Sequence, residues 1–329
     1  MIGCGDLAFS QHLPALARDP RFTVVAVADP DETRAVHTAT AFSIDRAFSD
    51  ARAALDLEPD AAVVATPPHV TPELAALALD AGVHVLCEKP VAVSLPAADD
   101  LVERAAASGR VLQVGFKNRF SPLVEALRGL VVEGRLGDPL VVRIGSFDEA
   151  YRPHDTLHFE RIRGFLHHGP PVVHDGAHAA DLLCWLLGPA AHVAASALRS
   201  DPSFPASNYH AATIDYPSGS VARLEVGWWF PHLWESEVQI YGSGGAADLS
   251  RPRGLLRFHD GEREEHVRCD EDWQTICFRR QLAAFADAIE TGVQRGADAA
   301  AGRDALELTL AIADAAETGR RIELGAAAR

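Results

Sequence analysis

Apolar residues in the first 120 positions fall in short unbroken runs separated by stretches of helical period. Runs 22–28, 62–65, 83–86 and 111–114 read as strands covered on both faces, because a half-exposed strand would alternate apolar and polar positions. The helical stretches are 7–18, 32–41, 71–80 and 97–107. Strand and helix alternating in this way predict a doubly wound parallel sheet, with right-handed crossovers. Beyond residue 120 the pattern changes. A helix is predicted over 122–132, and an apolar helix over 181–188 ends at Gly188-Pro189. Strand-like runs follow at 192–198, 210–216, 221–229, 235–241 and 255–259, with turn residues between them at 216–219 and 242–245. Such close spacing predicts an antiparallel sheet. Helices over 274–290 and 303–318 close the chain. The expected class is α/β, with a parallel-sheet domain over 1–120 and an α+β domain with a large, mostly antiparallel sheet over 121–329.

The opening residues give the first domain a chemistry. Gly3, Gly5 and Ala8 match G-x-G-x-x-A just before a helical stretch. In this fingerprint the first glycine makes a tight turn, and the second lets backbone approach a pyrophosphate. The small third residue brings helix and strand together, and the helix N-terminus faces the phosphates. Asp29 ends the second predicted strand, at the spacing expected of a carboxylate that holds a ribose hydroxyl. A carboxylate there repels a 2′-phosphate, so NAD is expected over NADP, although Arg34 lies close in sequence. The cofactor loop comprises Gly3, Gly5, Asp6, Leu7 and Ala8. Only Met1 and Ile2 precede Gly3, whereas a strand of this kind runs to about five residues. The first strand is therefore expected to be truncated, with further apolar residues ahead of it in the natural protein.

Composition narrows the partners. Thirty basic against 46 acidic residues give a net charge of −16, which opposes nucleic acid and anionic membrane at long range. The chain shows neither a long apolar span nor a secretory leader. Five scattered cysteines without a C-x-x-C pair read as reduced thiols, so a cytoplasmic location is expected.

Three predicted strands end in polar or proline-rich segments, at the edge where open α/β sheets bind ligands. After strand 83–86 comes Cys87-Glu88-Lys89-Pro90. A lysine beside a cationic nicotinamide, partly desolvated, has a lowered pKa and can share the proton of an alcohol under oxidation. After strand 62–65 comes Thr66-Pro67-Pro68-His69, a loop stiffened by two prolines. After strand 111–114 come Lys117, Asn118 and Arg119. In the second domain His174, Asp175 and His178 form a cluster. Histidine is suited to accept a proton near neutrality, and a neighbouring carboxylate can fix its tautomer. His178, Asp175 and Lys89 are the candidate catalytic residues. The spacing of His154, His158, His167, His168, His174 and His178 fits no zinc motif, and no metal is expected. Trp228, Trp229 and Trp234 are expected in core or subunit contacts rather than stacked on substrate.

With these segments in view, the chain resembles the Gfo/Idh/MocA oxidoreductases along essentially its whole length. Glu88-Lys89-Pro90 at a parallel strand end is the most specific shared feature, joined by the 3–8 loop, Asp29-Pro30, the 64–69 segment and Asp181 to Gly188. The resemblance implies an N-terminal Rossmann domain, a nicotinamide cofactor and an open C-terminal sheet that often supports a homodimer or homotetramer. It also implies that Glu88, Thr66, Pro67 and His69 contact the cofactor, and that Asn118 or Arg119 contacts substrate. Family members commonly carry an aspartate four positions before the histidine. Here His174 holds that place and Asp175 follows it, so either residue is a candidate to face the substrate. The expected reaction is hydride transfer between NAD(H) and a secondary alcohol or carbonyl of a sugar, polyol, cyclitol or related diol. A non-catalytic NAD(P)-binding regulator and an NAD-dependent glycosidase working by transient oxidation are the alternatives.

Overall fold

The computed structural model describes residues 1–152, 154–231 and 237–325. The chain divides into two units, one of 1–120 and 272–303, the other of 121–271 and 304–329. The segment 272–303 therefore belongs with the first unit, not with the second domain in which it was expected.

In the first unit, β1 (Val27–Ala28) pairs in parallel with β2 (Ala47–Phe48). A second parallel ladder runs in the order β3 (Ala61–Val64), β4 (His84–Cys87), β5 (Leu112–Val114). Ile2 bridges both ladders in parallel, to Ala28 on one side and Val64 on the other. The expected strand 22–28 thus contributes only its last two residues. Strand character depends on partners, and β2 offers β1 two residues. The helices Glu32–Ala41 and Thr71–Asp80 fall where the periodicity placed them. Helix Trp273–Thr291 joins this unit because Phe278, Leu282 and Phe285 are buried in one cluster with Cys4, Leu13 and Leu86. Their burial removes each side chain from water at a gain of roughly 1.5–3 kcal/mol.

The second unit is built on a nine-stranded sheet. Its strands are β6 (Val141–Ser146), β7 (His192–Leu198), β8 (Tyr209–Asp215), β9 (Val221–Gly227) and β10 (Val238–Gly242). They are joined by β11 (Gly245–Ser250), β12 (Leu255–His259), β13 (Glu264–Arg268) and β14 (Ile322–Glu323). The order is β13-β12-β11-β10-β6-β9-β8-β7-β14. All neighbours are antiparallel except β6 and β9, which are parallel. Helix Gly176–Leu187 lies on this sheet, and Gly176 sets the approach: a Cβ there would stand 3.2 Å from Val226.

Candidate active site

The glycine loop is shaped for close approach. Gly3 has φ +89°, and a Cβ on it would fall on the carbonyl of Ala65. Gly5 differs: a Cβ on it would meet nothing within 4 Å, so the loop presents bare backbone to open space. The helix that follows opens as a π turn over Ala8–His12, closed by the Leu13 N–H on the Ala8 carbonyl. Such turns recur at functional sites. Asp6 and Leu7 are exposed at the helix start, and Ala8 is buried.

Asp29 is 5% exposed and held in place at the end of β1. Its Oδ2 accepts the Cys4 N–H at 2.9 Å, and its Oδ1 accepts the Asp31 N–H at 2.9 Å. Two carboxylate oxygens offer about four acceptor sites, and those the two backbone bonds leave would be contested between Arg34 and a ribose hydroxyl. The half-exposed Arg34 guanidinium lies 3.3 Å from Oδ1. The bare Gly5 backbone, the helix start and the fixed Asp29 together fit a dinucleotide.

The carboxyl ends of β3, β4 and β5 carry the remaining first-unit candidates. The Thr66 and Thr71 hydroxyls are 3.0 Å apart, and Thr71 Oγ1 also donates toward the Pro67 carbonyl at 3.2 Å, which ties the loop to its helix. Pro67 and His69 are exposed. At the end of β4, Glu88 is 8% exposed, while Lys89 is half-buried. The Lys89–Pro90 peptide is cis. Glu88 Oε2 accepts the Lys89 backbone N–H at 3.2 Å, and Oε1 lies 2.8 Å from Nε2 of the fully buried His12. Burial alone would push the Glu88 carboxyl up. The hydrogen bond from His12 and the nearby cations Lys117 and Lys89 more than offset this and hold it below the usual carboxylate range. Burial pushes the adjacent Cys87 thiol up to about 12, leaving it unreactive. Lys117, Asn118 and Arg119 form a single 3₁₀ turn over Lys117–Phe120, with Arg119 buried and Lys117 Nζ 5.3 Å from the Phe278 ring centre. His12 was not among the residues singled out from sequence, since its partner lies 76 positions away. A groove of about 620 Å³ beside Met1, Val24, Ala61 and Phe285 lies at the amino ends of the strands, away from these residues.

In the second unit, His174 ends the short helix Pro171–His174, and Asp175 leads into helix Gly176–Leu187, which carries His178 in its first turn. His178 donates its backbone N–H to the Asp175 carbonyl at 3.1 Å. The Asp175 carboxylate accepts the Trp228 indole N–H at 2.6 Å, and the His174 ring stacks on the same indole at 5.7 Å. Part of the acceptor capacity of Asp175 is therefore committed to Trp228, a partner that sequence spacing did not reveal. Trp228 is 3% exposed and clusters with Ile162, Leu166 and Phe204, a core position. Trp229, φ +64°, packs edge-on against Phe159 and Tyr151. Trp234 lies outside the described residues. His158 is structural: its Nε2 is 2.9 Å from the Ala150 carbonyl oxygen, and its Nδ1 is 3.1 Å from Arg161. Among the described residues no three His, Cys, Asp or Glu side chains are grouped as a metal site requires. No helix among them is long and apolar enough to cross a membrane.

A glycine loop against a parallel sheet, with a carboxylate at the next strand end, defines an NAD-binding Rossmann unit, here joined to a second unit built on a large mixed sheet. Residues 1–116 match the oxidoreductase family with NAD-binding Rossmann fold, and residues 124–248 match the GFO/IDH/MocA C-terminal domain. The chain belongs to the Gfo/Idh/MocA oxidoreductases. It is 28% identical to the dTDP-3,4-didehydro-2,6-dideoxy-alpha-D-glucose 3-reductase of Streptomyces antibioticus, over 95% of this chain and 96% of that protein. It is 29% identical to the myo-inositol dehydrogenase Hyg17 of Streptomyces leeuwenhoekii, over 97% of both. Its fold matches the crystal structure of myo-inositol 2-dehydrogenase from Lactobacillus plantarum with a TM-score of 0.85 at 19% identity, covering 98% of each chain.

Proposed function

We propose that this oxidoreductase moves a hydride between NAD(H) and a secondary alcohol or carbonyl carbon of a sugar, polyol or cyclitol. The observation that carries the reading is Lys89, set at the carboxyl end of β4 with its backbone tied to a buried, ionised Glu88. That strand end is where ligands bind in open parallel sheets. The sugar and inositol substrates in the names of the relatives support the substrate class.

Gly3, Gly5, Asp6, Leu7 and Ala8 would hold the pyrophosphate, and Asp29 the adenosine ribose. Thr66, Pro67, His69 and Glu88 would face the nicotinamide half. Bound nicotinamide supplies the hydride acceptor, or the donor in reverse. In oxidation the carbinol C–H bond breaks with its electron pair leaving as hydride, and the O–H proton passes to a protein base. Lys89 and His178 share that proton, with His178 as base or anchor. Asp175 or His174, together with Asn118 or Arg119, orders the substrate. A homodimer or homotetramer is the proposed assembly.

The test uses Lys89→Met, with NADH absorbance followed over a panel of sugars, polyols and cyclitols, and NADP run in parallel. Turnover should fall by roughly 10²–10⁴-fold while NADH binding persists, as expected when a proton-transfer group is removed. Unchanged turnover removes Lys89 from the mechanism. Tight NADH binding by the unaltered chain with no turnover on any member of the panel favours a regulator instead.

A further inference from the structure

The pair beneath Lys89 is more elaborate than a lysine-positioning loop requires. His12 is fully buried, and Nε2 meets Glu88 Oε1 at 2.8 Å. An ionised carboxylate has no proton to give, so the imidazole donates through Nε2. His12 Nδ1 is buried and makes no hydrogen bond among the described residues, so the imidazole is spent on Glu88 alone. Phe278 closes its ring edge-on at 4.9 Å. Over the face of the carboxylate stands Gly115, where a Cβ would lie 2.9 Å from the carboxylate carbon and from both oxygens. The Glu88 head is thus gripped by a donor, a backbone N–H and a gap only glycine leaves open.

We propose that His12 is a positioning residue that fixes Glu88 as an anion, and that this anion biases the site toward the oxidised cofactor. The oxidised nicotinamide ring is cationic and the reduced ring is neutral, so a fixed carboxylate at that strand end stabilises one redox state and not the other. The inference rests on the placement of the nicotinamide half proposed above. His12 acts through Glu88, and its effect is a coupling between a buried residue and a ligand it does not touch.

The experiment measures dissociation constants for NAD and NADH separately, by calorimetry and by NADH fluorescence, on the full chain. His12→Phe keeps a ring beside Phe278 and removes the donor. It should weaken NAD relative to NADH by at least about fivefold, the lower end of ordinary site-to-site couplings. His12→Gln places an amide N–H at comparable reach and should restore the ratio to within about twofold of the unaltered chain. Gly115→Ala crowds the face of the same carboxylate and should shift the ratio in the same direction as His12→Phe, which keeps the test decisive even where the Phe variant fails to fold. Equal weakening of both nucleotides, or an unchanged ratio in Gly115→Ala, overturns the proposal. If the unaltered chain binds neither nucleotide, the cofactor placement itself fails, and that outcome is distinct from a ratio that does not move.

Discussion

Gly3 and Gly5 share one loop but should fail in different ways when each gains a single methyl group. At Gly3 the methyl meets two penalties. The residue holds φ +89°, where an L side chain costs on the order of 1–2 kcal/mol. The added Cβ would also fall on the Ala65 carbonyl and 2.9 Å from Thr66 Cγ2, and overpacking against fixed backbone costs a further ~1–3 kcal/mol. Gly3→Ala should therefore lose about 2–5 kcal/mol of stability, which in a unit of this size lowers Tm by roughly 4–20 °C. At Gly5 the backbone is not left-handed and the Cβ meets nothing within 4 Å. Gly5→Ala should leave Tm unchanged or slightly raised, because alanine restricts the unfolded chain. Its methyl instead occupies the space through which a pyrophosphate approaches, so NADH binding should weaken at least about tenfold. Calorimetric melting and NADH fluorescence on both variants separate the two effects. A Gly3→Ala protein that melts with the parent, or a Gly5→Ala protein that binds NADH as tightly as the parent, refutes this account of the loop.

Two further outcomes follow from the second unit. Trp228→Phe removes the indole N–H that Asp175 accepts at 2.6 Å. Hydrogen bonds to charged groups contribute about 1.5–3 kcal/mol, so urea unfolding should show a loss of that order or somewhat more, while NADH binding is retained. His210 is 3% exposed on β8, and burial lowers its pKa from 6.5 to about 4. A folded-state pKa below the unfolded one means the stability is fully present above pH 6.5 and is lost as pH falls toward 4. At pH 5 the loss amounts to about 2 kcal/mol, and His210→Leu should flatten this part of the pH–stability curve. An unaltered slope between pH 7 and pH 5 in that variant would show that another group carries it.

Local chemistry was legible wherever a residue type is demanded by its own backbone neighbourhood. The glycine loop, Asp29 at a strand end and the helices Glu32–Ala41, Thr71–Asp80 and Pro122–Val132 all fall where sequence placed them, because caps, periodicity and turn residues act over a few positions. Strand β6 was not anticipated, since its exposure alternates only in part and it pairs with β9 some 80 positions away. Helix Thr156–Leu166 was missed for a related reason: Leu157, apolar and in its first turn, is 83% exposed and breaks the amphipathic pattern. The same limit explains the site. The candidates Lys89 and His178 are nominated by what surrounds them in sequence, whereas the groups that fix their neighbours are not. His12 is 76 positions from Glu88, and Trp228 is 53 from Asp175. Both partners are buried, and a buried histidine or tryptophan in an apolar stretch looks like core until its polar atom is seen to face a carboxylate. Glu88 and Asp175 are thus each held by a buried ring that sequence did not link to them, whereas Asp29 is held by backbone N–H groups of the glycine loop and of its own strand end. The electrostatics around Glu88 and around Asp175 are therefore each a property of packing within its own unit, and substitutions at His12 and Trp228 address them more directly than substitutions at the carboxylates themselves.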